Sequence, residues 1–429
     1  MRYEQSRIKK LFSAILCLFL FSASLGSTVA ETSVSIFVAT DRHAHYETIT
    51  IEEEESAANS GTSSKRKPAK KMPIYDSNGA LIWHNNLTDI LSLVARDHDA
   101  VQPEIVLLGG DNVGEGGDGT RDETGYPMGA PTFSMKAVDA QIACVFGEDV
   151  RGLYTYGSHD INETGKYEGV FFSGPVMGNG YWIYGISFAQ MIYDSDQQAL
   201  AADERGTIYK GKDMADANGL SAHTASHRFL SWAKGLKDRL PIIVMSHVPL
   251  HAHRGDNSGA WTWTRALNEA SENHDIIFLW GHNHTLERKD EARSIEQAHY
   301  LLLPGQTITV QSWDLDEEGR MILKREVLPM ETEDGADGTA GQLRKAEEST
   351  EPEYELITQD EALRFVYMNA GYITDGFGSL LTFTDMEDDG LWDELTIKRY
   401  SLDGKAEAPS VSTIILIAQH RNREGIQKQ

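Results

Sequence analysis

Five short apolar runs, each followed within two residues by aspartate, serine or histidine, constrain the fold of this chain more than any other feature. The runs are SVSIFVAT (33–40), EIVLLGG (104–110), GLYTYG (152–157), PIIVMS (241–246) and DIIFLW (275–280). They are rich in valine, isoleucine and aromatic residues and lack polar alternation, which is typical of strands buried on both faces. The sequence therefore predicts five buried β-strands.

Segments with helical spacing lie between these runs. LTDILSLVARDH (87–98) and SAHTASHRFLSWAKGLKDRL (221–240) place apolar residues three and four apart, as amphipathic helices do. Strands that alternate with helices indicate an α/β layered fold.

The polar residues that end the five runs are the candidate site. They are Asp41-Arg42-His43, Asp111-Asn112, Ser158-His159-Asp160, His247 and His282-Asn283-His284. In α/β sheets, ligands bind at the carboxyl ends of the strands, where the loops converge. We therefore expect these side chains to meet at one edge.

The residue types in this set favour a metal centre. Carboxylate oxygen and imidazole nitrogen suit Mn, Fe, Zn, Co or Ni, and cysteine thiolates of a structural zinc cage are absent from the set. The six candidates are Asp41, His43, Asp111, His247, His282 and His284. Six ligands exceed the needs of one tetrahedral ion and suit two ions that share a ligand, an arrangement used to hold phosphate esters.

The order of these motifs resembles the calcineurin-like metallophosphoesterase family. The chain contains DRH (41–43), GGDN (109–112), GSHD (157–160), SHVP (246–249) and GHNH (281–284), in the family's order and each after an apolar run. The resemblance implies the metallo-dependent phosphatase sandwich, in which helices flank two mixed β-sheets.

The resemblance also implies the metal ligands. Asp41, His43 and His284 would hold the first divalent or trivalent ion, and His247 and His282 the second. Asp111 would bridge the two ions. The nucleophile would be a metal-bound hydroxide.

A proton donor follows from the same resemblance. His159 would contact the phosphate and protonate the leaving oxygen, and Asp160 would orient its ring. The chain departs from the family at Ser158, where an asparagine normally ligates the second metal. We expect a weaker second site, with Ser158 or the neighbouring Asn112 as a poorer ligand.

Two further residues are candidates for contact with a substrate. His251 follows the predicted ligand His247 by four positions, and Arg254 could pair with a phosphate through two hydrogen bonds. The alternatives are ordinary packing for His251 and a solvated loop position for Arg254. Cys144, in the apolar context IACVF, is expected to be buried.

The first 30 residues are typical of a signal peptide. Four basic residues precede the apolar run LFSAILCLFLFSASLG, which is shorter than a membrane-spanning helix, and Thr28-Val29-Ala30 offers a cleavage site. We expect a secreted, cell-surface or periplasmic protein with no membrane span after removal of the signal. A retained N-terminal anchor is the alternative.

The charge of the chain narrows the class of substrate. The formal net charge is −26, which repels long nucleic acids at a distance. The expected substrate is a small phosphomonoester or phosphodiester. The alternatives are a nucleotidase or pyrophosphatase-type hydrolase, and a weakly active, metal-bearing surface protein that binds a ligand.

Composition divides the chain into four parts. After the signal peptide (1–30) we predict a catalytic domain (31–330), a flexible acidic insertion (331–360) and a C-terminal strand and hairpin segment (361–429). The last segment would close the sheet or form a small accessory unit. The charged stretch 52–71 and the glycine-rich stretch 115–131 are predicted to be surface loops.

Overall fold

The computed structural model places two six-stranded sheets, three two-stranded sheets and five helices in the described part of the chain. It describes residues 32–43, 48–51, 70–73, 77, 86–112, 131–157, 160, 172–192, 221–251, 259–282, 301–313, 323–325, 353–354, 356–402 and 411–418. The predicted signal peptide, most of 52–71 and 115–131, and most of the predicted acidic insertion lie outside these residues.

The strands and helices have the following bounds. The strands are β1 (Thr32–Ala39), β2 (Thr48–Ile51), β3 (Lys70–Pro73), β4 (Pro103–Gly109), β5 (Arg151–Thr155), β6 (Gly174–Met177), β7 (Trp182–Ile186), β8 (Ile242–Ser246), β9 (Ile276–Trp280), β10 (Leu301–Leu302), β11 (Thr307–Trp313), β12 (Leu323–Arg325), β13 (Glu353–Tyr354), β14 (Leu356–Ala362), β15 (Val366–Asn369), β16 (Phe377–Asp385), β17 (Glu394–Ser401) and β18 (Val411–Ile415). The helices are α1 (Asn86–Arg96), α2 (Pro131–Phe146), α3 (Ala189–Ile192), α4 (Ala222–Gly235) and α5 (Ala260–Ala270).

Two six-stranded sheets carry the fold. The first has the order β18-β17-β16-β1-β4-β5 and the second the order β10-β15-β9-β8-β7-β6. Both are mixed: β1 pairs parallel with β4 and antiparallel with β16, whereas β7, β8, β9 and β15 run parallel between antiparallel edge strands. The hairpin of β2 and β3 and the pairs β11–β14 and β12–β13 are separate.

Three apolar clusters make the layers. Ile36 and Leu107 of the first sheet join Ile243 and Leu279 of the second in the cluster between the sheets. The opposite face of the first sheet packs on α1 and α2, and the opposite face of the second packs on α4 and α5. Alternate residues of one strand therefore serve two cores, which is why the strands contain no polar alternation.

The predicted fold class is confirmed. All five apolar runs form strands, β1, β4, β5, β8 and β9, and every residue of β8 and β9 is buried. The two predicted helices are α1 and α4. The chain is an α/β sandwich of two mixed sheets flanked by helices.

The C-terminal segment contributes to both sheets. β15 lies beside β9 in the second sheet, and β16, β17 and β18 extend the first sheet beyond β1. The end of the predicted acidic insertion falls in β13 and in β14, which pairs with β11. The division into domains stays a prediction.

Cys144 is exposed on α2, so the prediction that it is buried is wrong: it lies on the helix face turned away from Ile142 and the core.

No helix in the described part of the chain combines the length and apolar character that a membrane crossing requires.

Candidate metal centre

Five of the six predicted metal ligands lie in the described part of the chain, and all five meet. Asp41 and His43 follow β1, Asp111 follows β4, His247 follows β8 and His282 follows β9. The first two strands belong to one sheet and the last two to the other. The candidate site therefore lies where the carboxyl ends of both sheets converge.

Asp111, His247 and His282 form one group of ligand atoms. His247 Nε2 lies 3.0 Å from Asp111 Oδ2 and 3.0 Å from His282 Nδ1. The two imidazole rings stand nearly edge to face, with an angle of 72° between them. Asp111 and His247 are buried and His282 is half-buried.

Asp41, His43 and Asp111 form a second group. His43 Nε2 lies 3.7 Å from Asp41 Oδ1 and 3.8 Å from Asp111 Oδ2, and all three residues are buried. The ligand atoms within each group lie within 4.8 Å of one another. Asp111 belongs to both groups, and the same oxygen, Oδ2, faces His43 and His247.

The donor atoms of the group formed by Asp111, His247 and His282 fit a cation. His247 Nδ1 lies 3.1 Å from the carbonyl oxygen of Gly109, which can only accept, so Nδ1 must carry the proton. In the neutral ring, Nε2 then presents a lone pair to the Asp111 carboxylate and the His282 ring. These groups repel one another unless a positive charge lies between them, and a metal ion would supply it.

The pKa values of His247 and Asp111 also indicate that a positive charge stabilises this group. Burial alone would lower the pKa of His247, but the carboxylates of Asp111 and Asp41 outweigh it and raise this pKa to about 9. Burial alone would raise the pKa of Asp111, but His247, followed by His43, holds it well below its usual range. Without a metal, a proton on His247 balances Asp111.

Backbone and hydroxyl groups fix the orientation of Asp41. Its Oδ2 accepts hydrogen bonds from the Thr40 hydroxyl at 2.6 Å and from the main-chain N–H of His282 at 2.8 Å. Both donors bind the same carboxylate oxygen. This leaves Oδ1 to face His43.

The backbone around the site is strained. Among the described residues other than glycine, five have positive φ, and four of them are metal candidates: Asp41 (50°), His43 (42°), Asp111 (47°) and His282 (77°). Such conformations cost free energy and are concentrated at functional sites. They let the chain turn sharply out of each strand, so that residues two apart, such as Asp41 and His43, face one centre.

Comparison with known proteins identifies the family. Residues 74–286 match the family model of the calcineurin-like phosphoesterases. The chain carries a calcineurin-like phosphoesterase domain. Asp41 and His43 precede the matched segment, and the fold brings them to Asp111 inside it.

A solved structure extends the comparison. The structure of Haemophilus influenzae NAD nucleotidase (NadN) matches with a TM-score of 0.32 and 11% identity, covering 90% of this chain and 55% of that one. The phosphoesterase thus spans about half the length of that protein, and so distant a similarity does not indicate a shared substrate. No curated protein sequence matches the chain.

Asp160 joins two loops of the phosphoesterase. Its buried carboxylate accepts hydrogen bonds from the main-chain N–H of Asn112 at 2.8 Å, from Asn112 Nδ2 at 3.0 Å and from the N–H of Gly157 at 2.9 Å. Asn112 Nδ2 also donates to Thr155 O at 3.0 Å, and Asn112 Oδ1 is buried without a hydrogen-bond partner among the described residues. The suggestion that Asn112 compensates for Ser158 stays a prediction.

Four candidates lie outside the described residues: Ser158, His159, Arg254 and His284. Their predicted roles stay predictions. His251 is described, and its side chain is fully buried, with Nδ1 2.8 Å from the Tyr367 hydroxyl and its ring against Trp280. The predicted contact of His251 with a substrate stays a prediction.

Sequence reasoning missed two residues beside the ligands. Phe188 follows β7, and its ring centre lies 6.2 Å from that of His247 and 6.1 Å from that of His282. The second residue is Thr40, whose hydroxyl donates a hydrogen bond to Asp41 Oδ2. The apolar run that forms β7 ends without aspartate or histidine, so a search for ligand types passed over it. Its position before a turn at the same sheet edge was the available signal.

Proposed function

We propose that this phosphoesterase is exported and hydrolyses small phosphomonoesters or phosphodiesters with two metal ions. Asp41, His43 and Asp111, with His284, would hold one ion, and Asp111, His247 and His282 the other. The observation that carries the proposal is the shared position of Asp111, because one carboxylate oxygen faces the histidines of both groups. The signal-like first 30 residues support export.

When bound, the ions would neutralise charge on the phosphate and activate water for in-line attack. The chain supplies the remaining functions. Gly109 O keeps the proton of His247 on Nδ1, and Thr40 and the N–H of His282 orient Asp41. Phe188 covers one side of the histidine pair with an apolar ring, which excludes water and strengthens electrostatic interactions within the site.

The leaving oxygen needs a proton, and we assign its donation to His159. Asp160 is the residue next to it, and its carboxylate is anchored by Asn112 and Gly157. An anchored carboxylate beside a histidine can hold its ring in one orientation and stabilise its protonated form.

A chelation and reloading assay tests the proposal. Metal-depleted protein is reloaded with Mn, Zn, Fe, Co or Ni and assayed with chromogenic mono- and diesters. We expect turnover only after reloading. In Asp111→Asn, turnover should fall by more than about 100-fold. Loss of a residue that only orients a metal ligand already reduces metal affinity or activity by roughly 10- to 100-fold.

The matched control is Asp360→Asn, which changes an exposed carboxylate on β14 and should retain activity. Turnover that survives both chelation and Asp111→Asn would contradict the proposal. Bound metal without turnover on any ester would favour the surface binding protein. A panel of nucleotides and pyrophosphate separates the nucleotidase and pyrophosphatase alternatives from the simple esterase.

A further inference from the structure

We propose that Tyr367 in β15, together with Gly371 just beyond it, positions the metal centre by holding the three loops that carry Asp41, His247 and His282. The inference rests on the proposed function. Both residues lie outside the segment that matches the family, 74–286. Neither is itself a ligand.

The first loop is held through Thr40. The carbonyl oxygen of Gly371 accepts the main-chain N–H of Thr40 at 2.8 Å and lies 2.9 Å from the Thr40 hydroxyl. The same hydroxyl lies 2.6 Å from Asp41 Oδ2, so it shares its hydrogen between a carbonyl and the ligand's carboxylate. Thr374 N–H donates to Asp41 O at 3.2 Å. Gly371 therefore places the group that orients Asp41.

The second loop is held by the Tyr367 hydroxyl. It accepts the main-chain N–H of Leu250 at 2.9 Å and that of His251 at 3.3 Å, and it lies 2.8 Å from His251 Nδ1. These partners follow His247 by three and four residues. Tyr367 is fully buried, so its hydroxyl has no exposure to bulk water and serves this loop.

The third loop is held through Trp280, the last residue of β9. Its ring stacks on that of Tyr367, with centroids 5.6 Å apart and an angle of 23°. Ala370 N–H donates to Trp280 O at 2.9 Å. Gly281 and His282 follow immediately, so their starting point is fixed by β15 and the residue after it.

The holding segment is itself fixed. Gly371 N–H donates to Asn369 Oδ1 at 2.8 Å, and the buried guanidinium of Arg399 donates to Asn369 O. Gly371 has a φ of +105°, a conformation open to glycine and costly for other residues. One rigid connection thus contacts all three loops, and both sheets, at the metal centre.

Tyr367→Phe separates positioning from packing, because it retains the stacked ring and removes the hydroxyl. We measure Mn²⁺ affinity by calorimetry and the melting temperature of the metal-free protein. We expect the dissociation constant for Mn²⁺ to rise about tenfold, as is typical when a partner that orients ligands is lost. A packing role alone would lower the melting temperature and leave the Mn²⁺ affinity unchanged, and that result would overturn the proposal.

Tyr400→Phe is the matched control: it removes a tyrosine hydroxyl that donates to Asp97 at 2.8 Å, away from the ligand loops, and should bind Mn²⁺ like wild type. If Tyr367→Phe does not fold, Thr40 provides the test. Thr40→Ser retains the hydroxyl and should retain the affinity, whereas Thr40→Val should lose it; equal affinities would overturn the proposal. Failure of wild type to bind any of the proposed metals would instead refute the proposed function, and this inference with it.

Discussion

Gly281 sets how closely the two sheets approach one another at the metal centre. A Cβ atom at this position would lie 2.0 Å from Thr40 Oγ1 and 2.5 Å from Asp41 Oδ2. These neighbours are a buried hydroxyl and a buried ligand, so neither can move without disturbing the site. We expect Gly281→Ala to cost about 1–3 kcal/mol of unfolding free energy, the usual cost of overpacking, and to weaken metal binding.

Thermal melting and Mn²⁺ titration check this expectation. Gly235→Ala, at the end of α4, is the control because a Cβ there meets no atom within 4 Å. That variant should melt near the wild-type temperature or slightly above it. A Gly281→Ala protein that melts and binds Mn²⁺ like wild type would mean that the two sheets yield freely at this contact.

At the residue scale, sequence reasoning found the ligands and missed their supports. Asp41, His43, Asp111, His247 and His282 share a detectable signal, a carboxylate or imidazole group within three residues of the end of an apolar run. Thr40, Phe188 and Tyr367 carry no such signal. Their roles depend on contacts between distant parts of the chain, which no local pattern encodes.

At the scale of elements, Asp97 links the end of α1 to β17. Its carboxylate pairs with Lys398 Nζ and accepts a hydrogen bond from the Tyr400 hydroxyl at 2.8 Å. The hydrogen bond from Lys398 is the largest influence and lowers the pKa of Asp97 below its ordinary value. A carboxylate with a lowered folded pKa stabilises the fold above the unfolded pKa, and that contribution disappears as the pH falls through the folded pKa.

Lys398→Met should therefore reduce stability near neutral pH and lose this effect in acid. The pair is partly exposed, so we expect a difference of less than about 1 kcal/mol. The test compares melting temperatures of wild type and Lys398→Met from pH 6 to pH 2.5, where the gap should shrink. A gap that stays constant across this range would show that Lys398 acts through packing rather than through its charge.

Individual strands could be predicted from the sequence, whereas some of the pairings between them could not. β1, β4, β5, β8 and β9 were predicted because each is a continuous apolar run, although β5, at the edge of its sheet, is buried only at Tyr154 and Thr155. The sequence did not reveal that β16 pairs with β1 from Thr32 against Asp385, or that β15 lies beside β9. Registers of this kind are set by packing between distant segments rather than by any property of the strand alone.

At the scale of the whole molecule, the net charge and the sheet topology both favour the metal centre as the place where an anionic substrate binds. A net charge of −26 repels anionic substrates at long range, so attraction must come from cations held locally. The fold supplies that location, since the two sheets bring two ligand groups together around Asp111. The predicted sandwich was recoverable from the alternation of strands and helices, whereas the C-terminal contribution to both sheets was left open.

The most direct test of the account is the metal content of the purified protein, measured by elemental analysis after dialysis against excess metal, so that the weaker second site is also filled. With Asp111 shared by two ions, wild type should retain about two ions per chain, His282→Ala about one, and Asp111→Ala essentially none. A wild-type protein that retains one ion or none, or an Asp111→Ala variant that retains as much metal as wild type, would contradict the shared centre.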